Sequence, residues 1–186
     1  MATIAPTRPT THLPAGRWES ISSPIILASW MSVLDLGRRV DGGSVVVDRF
    51  PHWSHCYGCG RTNPSSQGVV LEYEEDGGVL ARVHIDLDHG GAPGFAHGGY
   101  LSFLLDEVMG GVGGDSQPRV TTDMTVRFLK AVPLDSDVVV AGRVERREER
   151  GFRVKGAVTI AGAASPSVEA TAYFRFVNLE RLRRRR

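Results

Sequence analysis

His97, Gly98 and Gly99 stand at the opening of an apolar run, and Asp106 stands nine residues beyond the histidine, inside it. Leu101, Leu104, Leu105, Val108 and Met109 recur at helical spacing. The two glycines therefore fall in a first turn, where backbone N–H groups lack intrahelical partners and the dipole is positive. Glycine also lets a substrate oxygen approach those groups with no Cβ in the way. That is the physics needed to polarise a carbonyl, although paired glycines also serve simply as a tight turn into a closely packed helix.

Asp106 is the second half of the chemistry. Aspartate is a poor residue for a helix interior, and one flanked by Leu104, Leu105 and Val108 needs a partner or a shifted protonation equilibrium. It suits a carboxylate directed at the polarised carbonyl; the plainer alternative is an aspartate paired with an arginine on a solvent face. Nine residues are about two and a half helical turns, so His97 and Asp106 project to nearly opposite sides. One site would then need two chains, His97 and Gly98 of one against Asp106 of the other across a two-fold axis. Glu107, about 100° around the helix, is expected at the surface or in a salt bridge.

The elements that must position these residues follow from periodicity. Val69, Leu71 and Tyr73 alternate, Asp76-Gly77-Gly78 makes a turn, and Val79, Ala81, Val83 and Ile85 alternate again, which predicts a β-hairpin. A Gly/Pro-rich loop over residues 89–96 leads into the helix. Four strands are expected after it, over 120–129, 137–144, 152–160 and 168–176, with a polar turn around 146–151. A single helix this apolar needs burial, and the economical solution wraps one antiparallel sheet of about six strands around it. The fold class is α+β.

The chain has 186 residues, 41% hydrophobic and 23% charged, which fits one domain with an appendage; its net charge of +1 argues neither for nor against an acidic partner, and no nucleic-acid partner is expected. Residues 1–50 are expected to be an N-terminal extension, loosely attached except for a helix over 24–36 between the Ser23 cap and Gly37. That helix is apolar around most of its circumference, so it should dock on the main domain or a neighbouring subunit; covering an acyl-binding groove is the sharper alternative. No segment reaches the ~20 apolar residues of a bilayer span, and no A-x-A-like cleavage site follows residues 24–36, so a cytoplasmic protein is expected. Residues 179–186 form a basic tail, expected to be solvated and disordered, with contact to substrate phosphates or nucleic acid as the alternative.

Cys56 and Cys59 form a lone C-x-x-C ahead of Gly60. A structural zinc site needs about four ligands, and completing one with His52 and His55 would crowd all of them into a single short segment. No metal is expected on that ground. A redox pair would want a thioredoxin-like βαβ setting, which is absent, so two reduced cysteines in a tight turn are expected.

The His97-Gly98-Gly99 opening with an aspartate nine residues on resembles the hotdog-fold acyl-CoA thioesterases, in the phenylacetate-type (PaaI-like) branch with the mammalian THEM proteins. Thr121-Thr122-Asp123-Met124-Thr125-Val126-Arg127-Phe128-Leu129-Lys130 is similar to that family's third strand. Cys56-Tyr57-Gly58-Cys59-Gly60-Arg61-Thr62-Asn63-Pro64 is similar to a turn ahead of its first strand. The resemblance spans residues 56–178 and implies a hotdog domain, over 51–178, that hydrolyses acyl- or aryl-CoA in fatty acid metabolism, as a homodimer or homotetramer and without a cofactor. It implies that Gly98 N–H binds the thioester carbonyl, that Asp106 serves as base or nucleophile, that Thr121 orients the water or the carboxylate, and that His97 positions the loop or substrate. Gly99, Thr122 and Arg127 are the further candidates for substrate binding. Many relatives carry Asn or Gln six or seven residues before the histidine, where this chain has Gly90 and Gly91; His89 is the nearest polar substitute. Ala131 stands where the family often has proline. Two other readings remain: a non-catalytic hotdog subunit that binds acyl-CoA, and an enoyl-CoA hydratase, against which stands the lack of a histidine in Ser65-Ser66-Gln67 after Asn63-Pro64.

Overall fold

Alternating apolar residues give this chain a six-stranded antiparallel sheet, described in a computed structural model over residues 53–113 and 117–184. The apolar run 24–36 and residues 114–116 lie outside the described residues. In chain order the elements are β1 (Glu72–Tyr73), β2 (Val79–Ile85), a 3-10 turn (Leu87–His89), α1 (Gly98–Gly111), β3 (Arg119–Phe128), β4 (Ser136–Glu148), β5 (Gly151–Ile160), β6 (Val168–Phe176) and α2 (Leu179–Arg183). The spatial order β1-β2-β4-β5-β6-β3 leaves β3 at one edge and β1 at the other.

Leu101, Leu104, Leu105, Val108 and Met109 bury α1 against the sheet, each no more than 3% exposed. Fully burying such a side chain contributes about 1.5–3 kcal/mol relative to leaving it in water. Their sheet partners lie on one face, among them Val79, Ala81, Val140, Val154, Val158, Ala172 and Phe174. A lane of small residues lets the helix come close: Gly142 pairs with Gly156, and Gly156 pairs with Ala170. A Cβ at Gly142 would sit 3.4 Å from the Cα of Met109, and one at Gly156 would sit 2.8 Å from the Met109 Cγ. These two glycines serve as floor for Met109 and not as turns.

The expected hairpin is present, but β1 is only two residues long, because the Gln67 and Val69 N–H groups donate to the Tyr57 and Gly58 carbonyls instead. β4 runs four residues past the expected end at Val144. Its outer part needs no apolar face: Glu148 pairs with Gly151, and the ion pair of Lys155 with Glu145 at 2.6 Å lies across the same ladder. The basic tail also departs from expectation. Its first five residues form α2, an exposed helix whose Asn178 cap accepts from the Arg181 N–H at 3.1 Å.

Candidate active site

The mouth of α1 is built from its own cap. His97 takes an extended backbone at the N-cap, and its Nδ1 accepts from the Gly99 N–H at 2.9 Å, which places the imidazole proton on Nε2. The His97 carbonyl takes the Tyr100 and Leu101 N–H groups at 3.0 and 3.2 Å. Of the first-turn donors, the Gly98 N–H has no acceptor among the described residues. Sequence reasoning offered both glycines to a ligand; the histidine claims one and leaves Gly98.

Asp106 is half-buried on α1 and accepts from the Thr121 hydroxyl at 2.7 Å. That contact exists because of a β-bulge. The β3–β6 register shifts between Thr121 and Asp123, so Thr121 lies opposite Phe174 while Met124 and Val126 lie opposite Ala172 and Ala170. Without the extra residue, Thr121 and Met124 would fall on opposite faces; with it, both face the helix. The bulged residue is Thr122, whose hydroxyl donates to the Tyr173 carbonyl at 3.2 Å.

The mouth and the carboxylate share one flank. A Cβ at Gly98 would lie 3.2 Å from the Phe128 Cζ, so the start of α1 meets the end of β3, as Asp106 meets its beginning. Eight residues of helix put Gly98 and Asp106 about 12 Å apart along the axis. Gly98 and Asp106 are therefore separated along the helix as well as around it, and a single thioester carbonyl does not span the gap.

The other candidates are placed as follows. His89 ends the 3-10 turn, with Nδ1 3.1 Å from Asp86 Oδ1 and its carbonyl accepting from the His97 N–H at 2.7 Å. Its ring stacks on Tyr100 with centroids 3.8 Å apart. Burial pushes the Tyr100 phenol up to about 12, with Asp86 and Tyr57 adding to the shift. Both line a cleft of about 520 Å³ with Tyr57, Gln67, Asp86, Asp88, Gly90 and His97. Arg127 pairs across the ladder with Glu169 at 3.7 Å, alternating away from Val126 and Phe128, on the sheet face opposite α1.

Glu107, expected at the surface or in a salt bridge, is half-buried. Its carboxylate lies against Gly58, and its Oε1 is buried without a hydrogen-bond partner. The Sγ atoms of Cys56 and Cys59 and a Glu107 carboxylate oxygen all fall within 4.8 Å of one another. Both cysteines are free, and burial, followed by the Glu107 carboxylate, pushes the Cys59 thiol well above the usual range. Sequence reasoning also passed over Tyr57, Tyr100 and Phe103, whose rings form a connected cluster beside the mouth. Tyr100 and Phe103 at i and i+3, off the leucine stripe, were the available signal.

Residues 93–162 match the model of the thioesterase superfamily. The six-stranded sheet wrapped around α1 is a hotdog fold. A likeness in sequence is found to the mouse acyl-coenzyme A thioesterase THEM4, 26% identical over 118 residues, which cover 61% of this chain and 51% of that protein. The chain thus spans about half the length of the curated relative it matches. A solved thioesterase superfamily protein is similar to the hotdog domain with a TM-score of 0.59 at 24% identity, covering 81% of this chain and 75% of the other. A Streptococcus mutans protein solved bound to acetyl CoA is similar with a TM-score of 0.55 at 23% identity, covering 59% and 89%. At these identities the two structures speak for the fold alone. Among the described residues no helix is long and apolar enough to cross a membrane.

Proposed function

We propose that the hotdog domain hydrolyses acyl-CoA thioesters at sites completed by a second copy of the chain. The observation that carries this reading is the Thr121–Asp106 hydrogen bond of 2.7 Å, which steadies a half-buried carboxylate on the same flank as an unpartnered helix-mouth N–H. The Gly98 N–H binds the thioester oxygen and stabilises the negative charge that grows on it. Asp106 activates a water or attacks the carbonyl to form an anhydride that water then opens; in either case the acyl group leaves as a carboxylate and the CoA as its thiol. Because Thr121 donates to Oδ1, the other carboxylate oxygen is left for the reacting partner. The cleft beside His97, of a size usual for small-molecule sites, takes part of the substrate between His89, Tyr100 and Tyr57.

The need for a partner follows from the distance along α1, and β3 supplies the means. β3 is a ten-residue edge strand, and Val120, Phe128 and Leu129 are 39%, 55% and 43% exposed at or beside its ends. Such an edge pairs with another strand unless it is protected. Antiparallel self-pairing centred on Thr125, with the bulge at Thr122 taken into account, sets Thr121 opposite Phe128 of the partner subunit, and so brings Asp106 toward Gly98 of the partner subunit.

Co-expression of two inactive chains tests both claims at once. Asp106→Asn and Gly98→Ala are each expected to abolish most thiol release. Random pairing of the two makes half the dimers mixed, each with one undamaged site, and restores about a quarter of the native rate. Mixed dimers no faster than either parent would overturn the shared site. Native-like hydrolysis by Asp106→Asn alone would remove the mechanism.

A further inference from the structure

We propose that Cys56, Cys59 and Glu107 form a zinc site that ties the N-terminal turn of the domain to the middle of α1. The inference is independent of the thioesterase reading. It rests on three observations. The two Sγ atoms and a Glu107 carboxylate oxygen lie within 4.8 Å of one another, although they come from a loop and a helix about fifty residues apart. The Glu107 Oε1 is shut away from solvent with no hydrogen-bond partner, a costly arrangement for a carboxylate and one that a bound cation relieves. Space for it is made by Gly58, which is itself buried and whose missing Cβ would occupy the place of the Glu107 carboxylate.

The turn is also held by its own backbone hydrogen bonds. The Cys56 N–H donates to the Trp53 carbonyl at 2.9 Å, and the Gly60 N–H donates to the Cys56 carbonyl at 3.0 Å. A Cβ at Gly60 would lie 2.6 Å from the Ser54 carbonyl oxygen, so only glycine closes the loop this tightly. Bonds of ~2.3 Å to sulfur place the thiolates of a tetrahedral zinc about 3.8 Å apart, inside the 4.8 Å within which the two Sγ atoms and the carboxylate oxygen fall. Two thiolates with one carboxylate favour zinc over calcium or magnesium, which take all-oxygen shells. Binding releases the two thiol protons, and a water fills the fourth position. The crowding that argues against zinc from the sequence does not apply, because the third ligand comes from α1 and not from the neighbouring histidines.

The test is zinc content of the full chain, purified under reducing conditions, loaded with zinc and dialysed against a weak chelator. About one zinc per chain is expected, with cobalt in its place giving a thiolate-to-metal charge-transfer band. Cys59→Ser should cut retained zinc at least tenfold. Glu107→Gln should weaken zinc at least tenfold while keeping the far-ultraviolet circular dichroism of the native chain, and Asp106→Asn should retain zinc fully. Zinc should raise the melting temperature of the native chain by several degrees and that of Glu107→Gln by none. Absence of stoichiometric zinc in the native chain, a cobalt spectrum without the thiolate band, or native zinc affinity in Glu107→Gln would each overturn the site.

Discussion

Asp106 and Glu107 are neighbours in sequence with the same functional group, and they lead different lives in the fold. Asp106 accepts from the Thr121 hydroxyl at 2.7 Å beside an exposed edge strand, and its second oxygen is available to a ligand. Glu107, a quarter-turn around α1, presses its carboxylate on Gly58 near two thiols, with Oε1 sealed from water. The contrast shows that chemistry along a buried helix is allotted by what covers each face. An edge strand with a hydroxyl leaves a carboxylate reactive, whereas a closed turn with a missing Cβ turns one into a candidate ligand.

The sharpest break of this comparison exchanges each carboxylate for its amide. Asp106→Asn is expected to lower kcat for acyl-CoA hydrolysis by about 10²–10⁴-fold, the range for loss of a general base, while the chain stays folded. Glu107→Gln should keep kcat/KM within about threefold, the ~0.5 kcal/mol scale of a change remote from the reacting atoms. Thiol release measured on both decides it; equal losses would mean that the two carboxylates act as one site. A smaller effect is expected from Thr121→Val, which preserves shape and removes the donor. Loss of a hydrogen bond to a carboxylate, about 1.5 kcal/mol, corresponds to about a tenfold fall in kcat with KM nearly unchanged. An unchanged kcat would reduce Thr121 to a packing residue. The smallest effect belongs to Gly58→Ala. The new Cβ displaces the Glu107 carboxylate, with a stability loss of about 1 kcal/mol seen as a lower melting temperature and hydrolysis within about threefold of native. A melting temperature equal to the native one would mean that Glu107 does not occupy that pocket.

The fold was largely legible from periodicity. The leucine stripe of α1 and the alternation in β2, β3, β5 and β6 specify which faces are buried, and the observed strands follow them. Strand ends were less legible, because the ladder of β4 continues through charged residues 145–148 that carry no apolar pattern. Within the candidate site, Gly98 and Asp106 stood out from residue type alone. The capture of the Gly99 N–H by His97 did not, since a cap depends on a side-chain rotamer. The pairing of Thr121 with Asp106 was suggested only by family resemblance. In simple alternation Thr121 shares a face with Asp123 and not with Met124, and the bulge that reverses this leaves no mark in composition. The burial of the Glu107 carboxylate leaves no local sign, because the groups it meets lie about fifty residues upstream, beyond any helical spacing rule.

By itself the sequence determined the local periods: which residues can form one buried helix, which can alternate in a sheet, and that glycines with an aspartate interrupt the helix where apolar residues would suffice. Those are properties of short windows, fixed by backbone geometry and the removal of apolar surface from water. Tertiary structure alone decided what faces each interruption. Register, bulge and loop path bring Thr121 to Asp106, Phe128 to Gly98, and the Cys56–Cys59 turn to Glu107. Such contacts depend on the packing of whole elements, and adjacent carboxylates can meet opposite surroundings because helix neighbours point 100° apart.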